Sequence, residues 1–238
     1  LDERTPGLSI VVPIYNEAEC LPQLVEKLYQ VGQELGGPWE LILVDDGSSD
    51  ATSQWLADHP RDGLRVIRLQ QNCGQSTAIL VGLRARRFDT LATLDGDLQN
   101  DPSDLPKLLE ALKNSDLVCG YRVDRQDSTW KRMVSRVANF IRGSLTGDGV
   151  RDTGCSLKVF RGEVADRLTF FRGAHRFLPA LAQLEGFRVV EVGVRHHPRR
   201  AGKSKYGSLG RLAETVPDLL GFLWLRSRYP EYQAKESE

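Results

Sequence analysis

The chain has 238 residues, enough for one large domain or two small ones, and no low-complexity stretch or Gly/Ser linker divides it, so a single domain is expected. With 40% hydrophobic residues it can bury a sizeable core, while its 32 basic and 32 acidic side chains cancel, a balance that argues against a nucleic-acid binder. Cys20, Cys73, Cys119 and Cys155 show no Cys-x-x-Cys spacing, which speaks against a zinc cluster or redox pair and predicts reduced thiols in a cytosolic setting.

An apolar strand begins within the first ten residues, so no secretory leader is expected. Leu8 to Pro13 is that strand, and from Glu17 to Leu35 the apolar residues Leu21, Leu24, Leu28, Val31 and Leu35 recur at helical spacing. The alternation repeats: a strand over Glu40 to Val44 before a helix from Asp50 to Ala57, a strand over Leu64 to Leu69 before a helix from Gly74 to Arg87, and a strand over Leu91 to Leu94 before a helix from Pro102 to Lys113. Four such units predict an α/β fold with a mostly parallel, doubly wound sheet, whose ligands bind outside the carboxyl ends of the strands. After Cys119 the alternation breaks down into a helix near Trp130 to Leu145, a strand near Ser156 to Phe160, a helix near His175 to Leu184, a strand near Arg188 to Val194 and a last helix from Ser208 to Leu225. Its longest strongly apolar stretch, Leu219 to Leu225, is far short of the ~20 residues that span a bilayer.

The strand ends carry the polar residues. Pro13, Tyr15, Asn16 and Glu17 come first, then Asp45, Asp46, Gly47 and Ser48, then Asn72, Gly74 and Gln75, and finally Asp95, Asp97 and Gln99. No Gly-x-Gly-x-x-Gly turn follows the first strand and no Walker loop is present, which removes dinucleotide-binding and P-loop readings. Two carboxylates at i and i+2, where the buried strand Leu91 to Leu94 ends, repel each other unless a cation or hydrogen-bond donors stand between them. Their hard oxygens suit Mg²⁺ or Mn²⁺ shared with substrate phosphates; a solvated turn is the plainer alternative for such a pair. Asp45 and Asp46 have the chemistry to accept hydrogen bonds from a base or ribose, or to cap the next helix, a role that Ser48, Ser49 or Asp50 can also fill.

Arg195, Arg199, Arg200, Lys203 and Lys205 form a run with no acid among them, and Gly202 and Gly207 give it flexible points. It reads as a loop that closes over a diphosphate with Arg200, Lys203, Ser204 and Lys205, or as a solvated basic loop. His175, His196 and His197 lack ligand spacing and are expected to be structural. Trp130, Lys131, Arg132 and Arg136 set cations beside an aromatic, as at an interface with lipid phosphates.

The chain resembles the family 2 glycosyltransferases of the GT-A fold, within them the dolichol-phosphate mannose synthase and polyprenyl-phosphate sugar transferase group. The segments that carry the likeness are Val12-Pro13-Ile14-Tyr15-Asn16-Glu17, Val44-Asp45-Asp46-Gly47-Ser48, Asn72-Cys73-Gly74-Gln75, Leu94-Asp95-Gly96-Asp97-Leu98-Gln99-Asn100-Asp101-Pro102, Asp152-Thr153-Gly154-Cys155-Ser156-Leu157-Lys158 and Gly202-Lys203-Ser204-Lys205-Tyr206-Gly207. The resemblance implies a GT-A domain over 1–207, with a nucleotide-sugar half at 1–120 and an acceptor half at 121–207, followed by an interfacial helix and tail at 208–238. It implies that Pro13, Tyr15, Glu17, Asp45, Asp46, Gln75, Ser76, Asp95 and Lys203 surround the donor and that Asp95, Asp97 and Gln99 serve the metal. Arg122, Arg136, Ser156, Lys158, Ser204 and Lys205 are then expected at the acceptor phosphate, although many relatives have Phe-Arg where this chain has Leu157-Lys158.

The expected reaction is inverting transfer of a hexose, from GDP-mannose or a UDP-sugar, to a polyprenyl or dolichyl monophosphate. Asp97, Arg200 and Lys203 would act on the leaving group, and Asp152 would orient the acceptor or act as base. The last helix, with Phe222 and Trp224, is expected in the membrane interface on the cytoplasmic face, with packing on the domain or a homo-oligomer contact as its alternatives. Competing readings are a family 2 enzyme acting on a saccharide or protein hydroxyl, a sugar nucleotidyltransferase, and a membrane-bound scaffold.

Overall fold

A computed structural model describes residues 5–123, 142–198 and 208–230, with the backbone alone over 208–214. Seven strands form one sheet in the order β3-β2-β1-β4-β6-β5-β7, built from β1 (Thr5–Ile14), β2 (Trp39–Asp45), β3 (Leu64–Arg68), β4 (Phe88–Thr93), β5 (Leu117–Arg122), β6 (Lys158–Arg161) and β7 (Val189–Val194). All pairings are parallel except those of β6, which runs antiparallel to both β4 and β5. The carboxyl ends of β1, β2, β4, β5 and β7 therefore share one edge with the start of β6.

Strand alternation sorts the core into two layers. Ile10, Val12 and Ile14 of β1 face a cluster with α1 (Leu21–Glu34) and α4 (Leu105–Leu112), while Val11 faces the cluster on the other side with α3 (Gln75–Arg84), α5 (Gly162–Arg167), α6 (Leu178–Leu184) and α7 (Ser208–Ser227). Leu21, Leu24, Val25, Leu28 and Val31 of α1 are buried, at ~2 kcal/mol per side chain, which outweighs the few tenths per residue that separate helix propensities. Packing therefore holds this helix.

Several elements differ from their sequence reading; helix α5 (Gly162–Arg167), for one, was not expected. Strand β5 was not expected, and it lies between β6 and β7, so the halves drawn at residue 120 are joined within one ladder. The helix expected over Pro102 to Lys113 opens as a 3₁₀ turn, Pro102–Asp104, before α4, because Pro106 has no N–H for the Pro102 carbonyl and Leu105 N takes it instead. Pro179 likewise cannot donate to the His175 carbonyl, and the helix expected from His175 divides into a 3₁₀ turn, Ala174–Arg176, and α6. Of the helix expected near Trp130 to Leu145, only 142–146 is described, and it is helical. All four cysteines are free thiols, and burial pushes Cys119 up to about 12 and Cys155 up to about 11, which keeps both protonated.

Candidate active site

Polar side chains gather at the shared edge. Among the described residues, the two non-glycine positions with left-handed backbone, Asn16 (φ 55°) and Leu98 (φ 59°), both lie here, in the turns after β1 and β4. Such conformations cost of order 1–3 kcal/mol each and persist where surrounding contacts over-determine them. Asn16 is held by Ser48 and Ser49: its N–H donates to Ser48 Oγ at 2.9 Å, and its Oδ1 accepts Ser49 N–H at 2.8 Å. Glu17 N–H donates to Thr52 Oγ1 at 2.9 Å, so the turn carrying Pro13, Tyr15 and Glu17 is fastened to the turn after β2.

Both aspartates of that second turn are occupied by the protein itself. Asp45 is fully buried and accepts from Ser48 N–H, Ser53 Oγ and Arg68 Nε. Its burial raises the carboxyl pKa, but these hydrogen bonds outweigh it and hold the group below its usual range. Asp46 accepts Cys73 N–H at 2.7 Å and Gly74 N–H at 2.9 Å, one on each oxygen, and so fixes the backbone that leads into α3. Gly47 makes this approach possible, since at φ 68° a Cβ would stand 2.5 Å from the Gln71 carbonyl carbon. The next helix, α2 (Thr52–Asp58), takes its first-turn hydrogen bond from Asp50, whose Oδ1 accepts Thr52 N–H.

The turn after β4 is tied on three sides. Gln75 Nε2 donates to Asp95 Oδ1 at 2.6 Å, Ser156 Oγ accepts both Asp95 N–H at 3.0 Å and Asn100 Nδ2 at 2.7 Å, and Asp97 Oδ1 accepts Gln99 N–H at 3.2 Å across Leu98. Asp97 is buried and Asp95 partly exposed. Two carboxylates preorganised on one tight turn at a strand end supply the hard oxygen donors that Mg²⁺ or Mn²⁺ takes, so these residues fit the expected metal. Ser156 was expected at an acceptor phosphate, and here its hydroxyl supports the Asp95 turn.

Arg122, at the end of β5, grips Asp152: Nε and Nη2 donate to its two oxygens at 2.6 and 2.8 Å, and Arg122 N–H adds a third bond at 3.2 Å. Lys158 is buried, and its ammonium donates to the Cys155 carbonyl, a bond it would have to leave to reach an acceptor. Ser76 pairs with His175, at 2.7 Å between Oγ and Nδ1.

Arg195, counted with the basic run, is neutralised by acids. It forms an ion pair with Asp104 at 3.2 Å and lies 3.7 Å from Asp101. His197 meets a carboxylate that spacing could not reveal, Asp101, at 3.0 Å, and its N–H donates to the Gln99 carbonyl. Burial raises the Asp101 pKa, but Ser103, His197 and Arg195 together hold it well below the carboxylate range. Arg136, Arg200, Lys203, Ser204 and Lys205 lie outside the described residues.

Residues 9–169 match the sequence profile of glycosyl transferase family 2. The chain belongs to that family. A dodecaprenyl-phosphate galacturonate synthase of Rhizobium johnstonii is 40% identical over 225 residues, which cover 91% of this chain and 66% of that protein. An undecaprenyl-phosphate 4-deoxy-4-formamido-L-arabinose transferase of Pectobacterium carotovorum is 37% identical over 218 residues, covering 90% of this chain and 66% of that one. This family 2 chain thus spans about two thirds of the length of the curated relatives it matches. Among solved structures, glucosyl-3-phosphoglycerate synthase of Mycobacterium tuberculosis, in complex with Mn²⁺, uridine diphosphate and glucosyl-3-phosphoglycerate, superposes with a TM-score of 0.71 at 20% identity, over 96% of this chain and 82% of that one. The likeness establishes the GT-A type of fold for this family 2 member.

Proposed function

We propose that this family 2 chain transfers a sugar from a nucleotide-sugar to a polyprenyl monophosphate with inversion. The observation that carries the reading is the placement of the Asp95–Asp97 turn and the Arg122–Asp152 pair on one sheet edge, at the ends of the parallel strands β4 and β5. The two relatives at 37% and 40% identity are both named for polyprenyl-phosphate sugar transfer, which supports the choice of acceptor.

In this reading the turns of Pro13 to Glu17 and Asp45 to Ser48, with α3, form the donor side. Asp45 and Asp46 shape it through the backbone they hold. A divalent cation held by Asp95 and Asp97, with Gln99 beside them, would neutralise charge on the leaving diphosphate. An acceptor phosphate oxygen attacks the anomeric carbon from the opposite face, its lone pair forms the new C–O bond, and the old C–O pair leaves with the nucleoside diphosphate. Arg122 is oriented by Asp152 to receive the acceptor phosphate with a planar fork of donors. A phosphate monoester is largely dianionic near neutral pH, its second pKa being ~6, so no strong base is required.

The lipid tail calls for an apolar surface. On α7, Val216, Leu220 and Trp224 are exposed at four-residue intervals, one stripe of the helix, with Arg226 and Arg228 following. Among the described residues no helix is long and apolar enough to cross a membrane. We place this stripe in the cytoplasmic membrane interface, a peripheral attachment.

A donor screen tests the function. Nucleotide-linked galacturonate and 4-formamido-arabinose are to be compared with GDP-mannose and UDP-glucose, each with polyprenyl phosphate and Mn²⁺ or Mg²⁺. One donor is expected to give lipid-extractable product; failure of all of them, or transfer only to a hydroxyl acceptor, overturns the proposal.

A further inference from the structure

Ser76 is the second residue of α3 and is buried, and its hydroxyl is engaged twice by one residue from 99 positions later. His175 N–H donates to Ser76 Oγ at 3.2 Å, and His175 Nδ1 lies 2.7 Å from the same oxygen. Ser76 Oγ keeps its own proton and a second lone pair, so the 2.7 Å contact with Nδ1 forms in either neutral tautomer, with the hydroxyl donating in one and accepting in the other. Desolvation, with Arg176 and Lys158 close by, holds the His175 pKa down to about 3, so the neutral ring persists across neutral pH.

The residue before Ser76 is Gln75, whose Nε2 reaches Asp95 Oδ1 at 2.6 Å. Helix α3 begins after Gly74, which brings no capping side chain. Asp46 fixes the chain entering the turn, and Ser76 fixes the turn itself. The anchor for Ser76 is rigid in its own right. Phe177 stacks on Phe222 with centroids 5.4 Å apart and planes 9° apart, Arg176 pairs with Asp218 at 2.8 Å, and Gly173, at φ 89°, lies where a Cβ would fall 2.0 Å from Asp218 Oδ2.

We infer that His175 is a positioning residue: by locking Ser76 it sets the first turn of α3, and thereby holds Gln75 on Asp95. The inference rests on the reading of Asp95 as a metal ligand only for its consequence, and the test separates the two.

Two quantities are measured in Ser76→Ala, His175→Phe, His175→Asn and the double variant Ser76→Ala/His175→Phe, with Asp95→Ala as reference. One is the ¹H–¹⁵N resonance of the Gln75 side-chain amide in the ligand-free protein. The other is Mn²⁺ affinity in the presence of nucleoside diphosphate. Ser76→Ala and His175→Phe are expected to move the amide resonance as Asp95→Ala does and to weaken Mn²⁺ binding about five- to tenfold, the worth of one lost hydrogen bond, with no further loss in the double variant. His175→Asn, whose side-chain amide can stand near the position of Nδ1 as acceptor or donor, is expected to restore both. An unmoved Gln75 amide in Ser76→Ala overturns the inference, as does equal loss in His175→Phe and His175→Asn with Ser76→Ala unaffected, the mark of packing alone. Should His175→Phe fail to fold, Ser76→Ala and His175→Asn decide. Wild-type Mn²⁺ binding by Asp95→Ala sinks the metal reading instead and leaves the amide result to judge His175.

Discussion

Arg122 and Asp152 meet through three N–H···O bonds, two from the guanidinium and one from the Arg122 backbone, and in the proposed function the carboxylate holds that arginine. Those three donors stabilise the charged carboxylate and so weaken Asp152 as a base. Arg122→Ala leaves the buried Asp152 carboxylate without its guanidinium and is expected to cost ~3 kcal/mol in urea unfolding, with a smaller loss in Arg122→Ala/Asp152→Ala than the two single changes sum to. Asp152→Asn should lower turnover chiefly through a raised acceptor KM and leave the acid limb of the pH–rate profile in place. A vanished limb would restore Asp152 as the base.

Asp97 has two separable duties. Its Oδ1 closes a small turn with Gln99 N–H across the left-handed Leu98, and in the proposed function its charge is offered to a cation. Asp97→Asn keeps an oxygen for the turn, so its melting temperature should match the wild type while divalent-ion binding is lost. Asp97→Ala also forfeits the turn bond and should be less stable by ~1 kcal/mol. Calorimetric Mn²⁺ titration beside thermal melts checks both; retained Mn²⁺ affinity in Asp97→Asn would remove this carboxylate from the metal site.

Gly47→Ala should be among the most damaging small changes at the donor side. The left-handed backbone costs an alanine ~1–2 kcal/mol, and its Cβ would overlap the Gln71 backbone at 2.5 Å, so the loop that Asp46 grips must move. Weaker nucleoside diphosphate binding together with a lower urea midpoint is expected. An unchanged dissociation constant would show that this loop does not shape the donor pocket.

Acid should destabilise the fold through His175. Its folded pKa is depressed to about 3 from the ordinary 6.5, so between these values the unfolded chain binds the extra proton and stability falls as pH falls. The group's contribution is complete above pH ~6.5 and shrinks toward pH ~3, with a slope of at most ~1.4 kcal/mol per unit, the limit for a single proton. Asp45 and Asp101, both held low, act in the same direction at the acid end of this window. Urea unfolding from pH 7 to pH 4 should show a shallower pH dependence in His175→Asn than in the wild type; parallel curves would contradict the assignment.

What could be read along the chain was whatever lies close together in it. The strands β1 to β4 announced themselves through short stretches rich in apolar residues, interrupted by Arg65 and Arg68 in β3, and the polar residues of each turn follow closely on their strand. The end of β4 and its two carboxylates needed nothing more. Strand β5 was missed because Leu117 to Arg122 carries only three clearly apolar residues before Gly120, and its extended form is imposed by partners at Lys158 to Phe160 and Val189 to Val194. The roles of Ser156, Asp46 and His175 were hidden for the same reason. Ser156 lies 61 residues from Asp95 and His175 lies 99 from Ser76, distances over which spacing carries no signal. Asp46 was legible as a polar turn residue, but whether its oxygens served a ribose or the backbone of Cys73 and Gly74 depended on where another loop came to rest.

The antiparallel β6 makes one further demand on how this molecule works. By pairing with β4 on one side and β5 on the other, it welds the strands that present Asp95 and Arg122 into a single hydrogen-bonded ladder. A clamshell motion between the proposed donor and acceptor sides would have to tear that ladder, so the sheet edge that carries both is a fixed frame. Substrates must enter and products leave by rearrangement of what surrounds it, and the separation between the two charged stations is set at folding, before either substrate arrives.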